Sequence, residues 1–124
     1  LAWGALTRLV DQAGVTMLFG CSSFAGSDPA PHQAALALLR GHPAPPAWRP
    51  GRKAPETYAI AQAEAGEQGW RDMPSLLRTY LAMGGWVSDH AVIDRRLDTL
   101  HVFTAVEIAR IPAARARALR LIAE

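Results

Sequence analysis

Five prolines fall within residues 43–55, at Pro43, Pro45, Pro46, Pro50 and Pro55. Each lacks a backbone N–H and has a fixed φ, so neither a helix interior nor a central strand can run through this stretch. An exposed, extended connection is the conformation left to it. The same stretch carries Arg49, Arg52 and Lys53. Regular structure must therefore be found before residue 43 and after residue 55.

Before the connection, Leu1, Ala5, Leu6, Leu9 and Ala13 form an apolar stripe at helical spacing, with Gly14 where a helix usually stops. No Ser, Thr, Asp or Asn precedes the stripe to take the free amides of a first turn, and no Met opens it, so the helix reads as already under way at residue 1. Residues 15–21 are nearly continuously apolar and are closed by a Ser/Gly-rich stretch, the pattern of a central strand buried on both faces. Asp28 and Pro29 then resemble a helix start, and Ala34, Leu36, Leu38 and Leu39 carry that helix to Gly41.

After the connection, residues 57–60 read as a short strand. Asp72 and Pro74 mark a helix start, Leu76, Leu77, Tyr80, Leu81 and Met83 supply its apolar side, and Gly84 with Gly85 ends it. Residues 86–93 and 100–106 read as two strands joined by the polar segment 94–98. Residues 1–111 thus form one α/β domain, a mixed sheet flanked by helices, and residues 112–124 form an Ala/Arg/Leu-rich helical tail.

With 124 residues, 50% hydrophobic and 19% charged, the chain has the composition of one globular core. No apolar run approaches the length needed to cross a bilayer, and no secretory leader opens the sequence. Cys21 is the only cysteine, which excludes an internal disulfide and zinc sites built from paired cysteines, and fits a reducing cytosol. A net charge of +2 is too small to imply nucleic-acid binding, although arginines cluster near residues 49–53 and 110–120.

Two segments carry more specific information. The first is Phe19-Gly20-Cys21-Ser22-Ser23-Phe24-Ala25-Gly26-Ser27-Asp28-Pro29. The second is Met73-Pro74-Ser75-Leu76-Leu77-Arg78-Thr79-Tyr80-Leu81-Ala82-Met83-Gly84-Gly85, continued by Trp86-Val87-Ser88-Asp89-His90-Ala91-Val92-Ile93-Asp94. They resemble, in order, two stretches of the ornithine N-acyltransferases that make lyso-ornithine lipid, a branch of the GNAT superfamily. There the first has the form Gly-Cys-Ala-Ser-Phe-x-Gly-Thr-Asp-Pro. The second runs Leu-Pro-Pro-Leu-Ile-Lys-Gly-Tyr-Leu-Arg-Leu-Gly-Ala and then Val-Gly-Asp-Gly-Ala-x-x-Asp. The chain departs from that pattern at Arg78, where Lys is usual, at Ser88 and His90, which replace glycines, and at Leu100 and His101.

The resemblance implies the carboxy-terminal part of a GNAT-like fold, with a phosphate-binding loop located before residue 1. It implies transfer of a 3-hydroxyacyl group from the phosphopantetheine thioester of acyl carrier protein to the α-amino group of ornithine, with no metal and no covalent enzyme intermediate. The lone cysteine and the lack of a leader point to a cytoplasmic location, and a lipid product leaves room for peripheral membrane contact.

Such a transfer needs a deprotonated amine, a polarised thioester and a proton for the departing thiolate. Ser22 and Ser23, read at the end of the central strand, and the Tyr80 hydroxyl are the candidate catalytic groups; a tight turn and helix packing are their plain alternatives. Asp89, Asp94 and Asp98 are candidate sites for the cationic amines of ornithine, with turn formation as the alternative. Arg49, Arg52, Lys53 and Arg78 are candidates for the acidic surface of acyl carrier protein, or else a solvated face. Cys21 reads as a small buried hydrophobe and His101 as a solvent-facing strand residue. Acylation of another amine, and a non-catalytic remnant that binds a protein partner, remain as other readings.

Overall fold

The computed structural model describes residues 2–123. Its elements run α1 (Ala2–Ala13), β1 (Met17–Ala25), α2 (Gln33–Leu38), β2 (Thr57–Ala59), α3 (Gly69–Asp72), α4 (Ser75–Ala82), β3 (Trp86–Val87), β4 (His90–Asp94), β5 (Thr99–Glu107) and α5 (Ala113–Ala123). Short 3₁₀ turns flank α2 and follow β2 and β5. Leu1, the first residue of the expected apolar stripe, and Glu124, the last of the expected tail, lie outside the described residues.

Local chemistry sets the helix ends. Gly14 takes a φ of 67°, which lets the Val15 amide reach back to the Val10 carbonyl at 3.2 Å and close α1. The same device ends α4, where Gly84 has a φ of 85° and the Gly85 amide bonds the Tyr80 carbonyl at 2.9 Å. Asp28 accepts from the Ala30 amide at 3.0 Å and so opens the helical stretch that contains α2.

The five strands form one sheet in the order β1-β5-β4-β2, with β3 also pairing β5. Every pairing between these strands is antiparallel, so the mixed sheet expected from sequence is corrected. For β4 and β5 the reason is connectivity: they are joined by a four-residue turn, and a parallel pair would need a long crossover. One parallel bridge exists outside the named strands, between Pro43 and Val87.

β1 also differs from expectation. It is an edge strand, not a central one, and runs through Ser22 and Ser23 to Ala25, paired residue by residue from Met17 opposite Glu107 to Ala25 opposite Thr99. Its burial alternates: Ser22 and Phe24 point into the core, whereas Phe19 is 68% exposed and Cys21 is exposed. The apolar side chains of Phe19 and Cys21 hid that period of two. Ser23 likewise faces outward, directly across from His101.

The main core lies on the inner face. Phe24, Leu100 and Val102 of the sheet meet Leu36 of α2, Leu77 and Leu81 of α4, and Met73. Each fully buried side chain of this size contributes roughly 1.5–3 kcal/mol. The outer face carries a smaller cluster of Ala44, Trp86 and Ala105, joined by Met17 and Phe103. Phe19 stacks on Phe103 beside it, with ring centroids 5.8 Å apart. The tail helix α5 belongs with α1: Ile122 packs over Gly4, where a Cβ would lie 3.1 Å from its side chain and 3.2 Å from its carbonyl oxygen, and Arg120 reaches Asp11 at 3.4 Å.

Candidate functional site

The site begins with a break in a strand. Opposite β5, Val87 faces Thr104 and Val92 faces His101, so five steps along β3 and β4 match only three along β5. The two extra residues form a bulge around Ser88 and Asp89. Ser88 repairs the interrupted ladder with its side chain, accepting from the Phe103 amide at 3.1 Å and donating to the His90 carbonyl at 2.8 Å. Its own amide donates to the Phe103 carbonyl. The Asp89 carbonyl accepts from Ile60 at 3.0 Å, which pins the bulge from the other side. Bulges of this kind re-aim a side chain, and here the carboxylate of Asp89 is turned outward, half exposed.

The Pro-rich connection docks beside the bulge. The Val87 amide donates to the His42 carbonyl at 2.9 Å and the Ala44 amide to the Val87 carbonyl at 3.0 Å, so the first prolines run alongside β3. Beyond them the connection carries Arg49 and Arg52 over a cleft of about 270 Å³. Leu39, Ile60 and Val87 give the cleft an apolar floor, and Asp89, Arg49, Arg52 and Arg40 supply its charges. The Arg40 guanidinium is already engaged, donating to the carbonyls of Ala61 and Ala63. Arg49 makes one long hydrogen bond to the Ala44 carbonyl, 3.4 Å. Arg52 has no ion-pair partner among the described residues.

The Asp89 carboxyl is held below the usual carboxylate range. The hydrogen bond from His90 Nδ1, 2.7 Å from Oδ1, is the largest cause, and the positive fields of Arg52 and Arg49 add to it against a desolvation cost. Asp89 therefore stands ionised in the cleft, between a buried histidine and two cationic side chains. A second cavity, about 50 Å³ between α1 and α5, is lined mainly by apolar side chains and offers no comparable chemistry.

The other sequence candidates lie elsewhere. Asp94 is at the far end of β4 from Asp89, roughly 16 Å away at about 3.3 Å per strand residue. It accepts from the amides of Arg96 and Leu97 and so shapes the β4–β5 turn. Asp98, at a φ of 52°, accepts from the amide and hydroxyl of Ser27. The three carboxylates do not converge: Asp89 enters the cleft and the other two build the opposite end of the sheet. Ser22 is 3% exposed on the inner face, where its Oγ accepts from Thr104 at 3.2 Å. Tyr80 packs edge-on against Trp3, and burial pushes its hydroxyl above the ordinary tyrosine value. Lys53 and Arg78 are exposed and lie outside the cleft lining. On the outer face His101 Nε2 is 3.9 Å from Asp94 Oδ2, with Ser23 on the neighbouring strand.

Sequence reasoning assigned Arg49 and Arg52 to one role and Asp89 to another, and missed that they share a cleft. It also passed over Ser88 and His90 as mere departures from a pattern. The adjacent Ser, Asp and His, all polar inside an apolar strand run, were the signal that could have located the bulge.

Three curated proteins align with most of the chain. An L-ornithine N(alpha)-acyltransferase of Rhodobacter capsulatus is 33% identical over 110 residues, covering 86% of this chain and 42% of the relative. Proteins of the same name from Brucella abortus and Rhizobium meliloti are 31% and 29% identical, each over 117 residues and 90% of this chain. The chain is a homologue of the L-ornithine N(alpha)-acyltransferases. It spans about two fifths of the length of these acyltransferases, 42%, 41% and 39% respectively. No protein-family model matches the chain. No solved structure matches it.

Proposed function

We propose that the protein carrying this chain is an N-acyltransferase that moves a 3-hydroxy fatty acyl group from acyl carrier protein to the α-amino group of ornithine, giving lyso-ornithine lipid. The observation that carries this reading is the similarity to three relatives whose names share both the acceptor and the acylated nitrogen. The cleft supports it, since an ionised carboxylate on an apolar floor is the environment a dibasic amino acid seeks.

In the reaction, the unprotonated α-nitrogen attacks the thioester carbonyl, the carbon–sulfur bond breaks, the amine proton leaves and the pantetheine sulfur is released as thiol. Asp89 and the arginines of the cleft orient the acceptor for that attack. In a GNAT-like arrangement the pantetheine arm lies between two splayed strands; β1 is one edge of this sheet and β2 the other. Lys53 and Arg78 remain as exposed cations for the acidic carrier surface, and they raise the encounter rate more than the final affinity. No helix of the described residues is long and apolar enough to cross a membrane.

The test supplies the natural protein that carries this chain with L-ornithine and either a 3-hydroxyacyl carrier protein or the matching coenzyme A thioester, and follows the products by mass spectrometry. The expected result is an ornithine amide on the α-nitrogen, formed faster from the carrier protein. Turnover from coenzyme A alone would overturn the donor, and acylation of a different amine with ornithine untouched would overturn the acceptor.

A further inference from the structure

The cleft holds charges of both signs on different elements: Asp89 on the bulge before β4, and Arg49 and Arg52 on the Pro-rich connection. Leu39, Ile60 and Val87 add buried apolar surface to the same cleft. A ligand complementary to this arrangement has an anionic end, a short aliphatic chain and a cationic end. We propose that the cleft binds a free α,ω-diamino acid as a two-ended clamp, with Arg52 and Arg49 taking the α-carboxylate and Asp89 taking the side-chain ammonium.

Several features favour these roles. Arg52 has no ion-pair partner among the described residues, and a planar guanidinium suits bidentate contact with a carboxylate. Arg40, by contrast, spends its donors on Ala61 and Ala63 and stays structural. Asp89 keeps one carboxylate oxygen on His90, while its exposed side faces the cleft. Both arginines already act electrostatically on Asp89, which places the opposing charges within coupling range of one another. Anchoring a diamino acid at its carboxylate and its far amine leaves the α-amine uncommitted, and that is the nitrogen the proposed transfer acylates. Arg49 and Arg52 thereby become determinants of acceptor specificity rather than contacts for a carrier protein.

The inference rests on ornithine as acceptor, so its test does not depend on acyl transfer. It measures equilibrium binding by calorimetry to the natural protein carrying this chain. The ligands are L-ornithine, 5-aminopentanoate (no α-amine), putrescine (no carboxylate) and norvaline (no side-chain amine). The unmodified protein should bind 5-aminopentanoate within a few-fold of ornithine, and putrescine and norvaline about 5- to 30-fold more weakly, the range of one partly exposed charge-assisted hydrogen bond. Arg52→Gln should weaken ornithine to the level of putrescine and leave putrescine unchanged. Asp89→Asn should weaken ornithine to the level of norvaline and leave norvaline unchanged. Equal weakening of all four ligands by Arg52→Gln would overturn the clamp, as would failure of ornithine to bind. Binding of 4′-phosphopantetheine that Arg52→Gln abolishes, with ornithine unaffected, would overturn it in favour of the donor. If the clamp binds as expected and no ornithine amide forms with any donor, the functional reading fails while the site stands.

Discussion

At the scale of single residues, position in the strand decides what a side chain can do. Ser22 and Ser23 are neighbours in sequence, yet the alternation of β1 sends one inward to Thr104 and the other out beside His101. The buried Ser22 hydroxyl is part of a side-chain hydrogen bond with no solvent nearby, and removing it leaves Thr104 with a weaker partner, the Val102 carbonyl at 3.5 Å. Ser22→Ala is therefore expected to cost about 1–2 kcal/mol of stability. Chemical denaturation measures it; a variant of unchanged stability that has lost turnover would instead restore the catalytic role read from sequence. The serine pair was legible as a notable motif, but which serine faced which way was not, because Phe19 and Cys21 are apolar residues on the exposed face and mask the period.

At the scale of elements, the turn between α4 and β3 fixes where the bulge and its carboxylate stand. Gly84 supplies the positive φ, and Gly85 supplies room: a Cβ there would sit 2.6 Å from the Tyr80 carbonyl oxygen and 2.8 Å from that of Ala105. Both obstacles are backbone, so neither yields as a flexible side chain does. Gly85→Ala is expected to destabilise the fold by roughly 2 kcal/mol or more, with β3 pushed off β5. A melting temperature equal to that of the unmodified protein would contradict it. The glycine pair, the helix before it and the polar turn at residues 94–98 were all readable from sequence, since caps and turns are written in local residue types. The split of residues 86–93 into β3, a bulge and β4 was not, because Trp86, Val87, Ala91, Val92 and Ile93 read as one apolar strand. Nor was the docking of the connection on β3, which depends on two carbonyl–amide pairs between distant segments.

At the scale of the whole molecule, the sheet separates the turn-building carboxylates from the charged cleft. Asp94 and Asp98 stabilise one end, and Asp89 meets the arginines of the Pro-rich connection at the other. Local patterns of spacing and turn residues located the helices other than α3, the hairpin and the Pro-rich connection; Asp72, read as a helix start, instead ends α3 with its carboxylate on His32, and the meeting of Arg49, Arg52 and Asp89 is long-range and follows only from the bulge. The pH behaviour follows from the same placement. Asp89 has a depressed carboxyl pKa, so whatever its charge contributes to stability or binding is present above the ordinary aspartate value of about 3.9 and is lost only as pH falls through the lower folded value. Between about pH 5 and 8 Asp89 itself stays ionised. The decisive measurement is the pair of Michaelis constants, for ornithine and for acyl carrier protein, in the natural protein carrying this chain and in its Asp89→Asn variant at pH 6 and pH 8. Loss of one partly exposed ionic contact, about 1–2 kcal/mol, predicts an ornithine KM about 5- to 30-fold higher at both pH values, with the carrier KM unchanged. An unchanged ornithine KM with a raised carrier KM would contradict the account and assign the cleft to the donor.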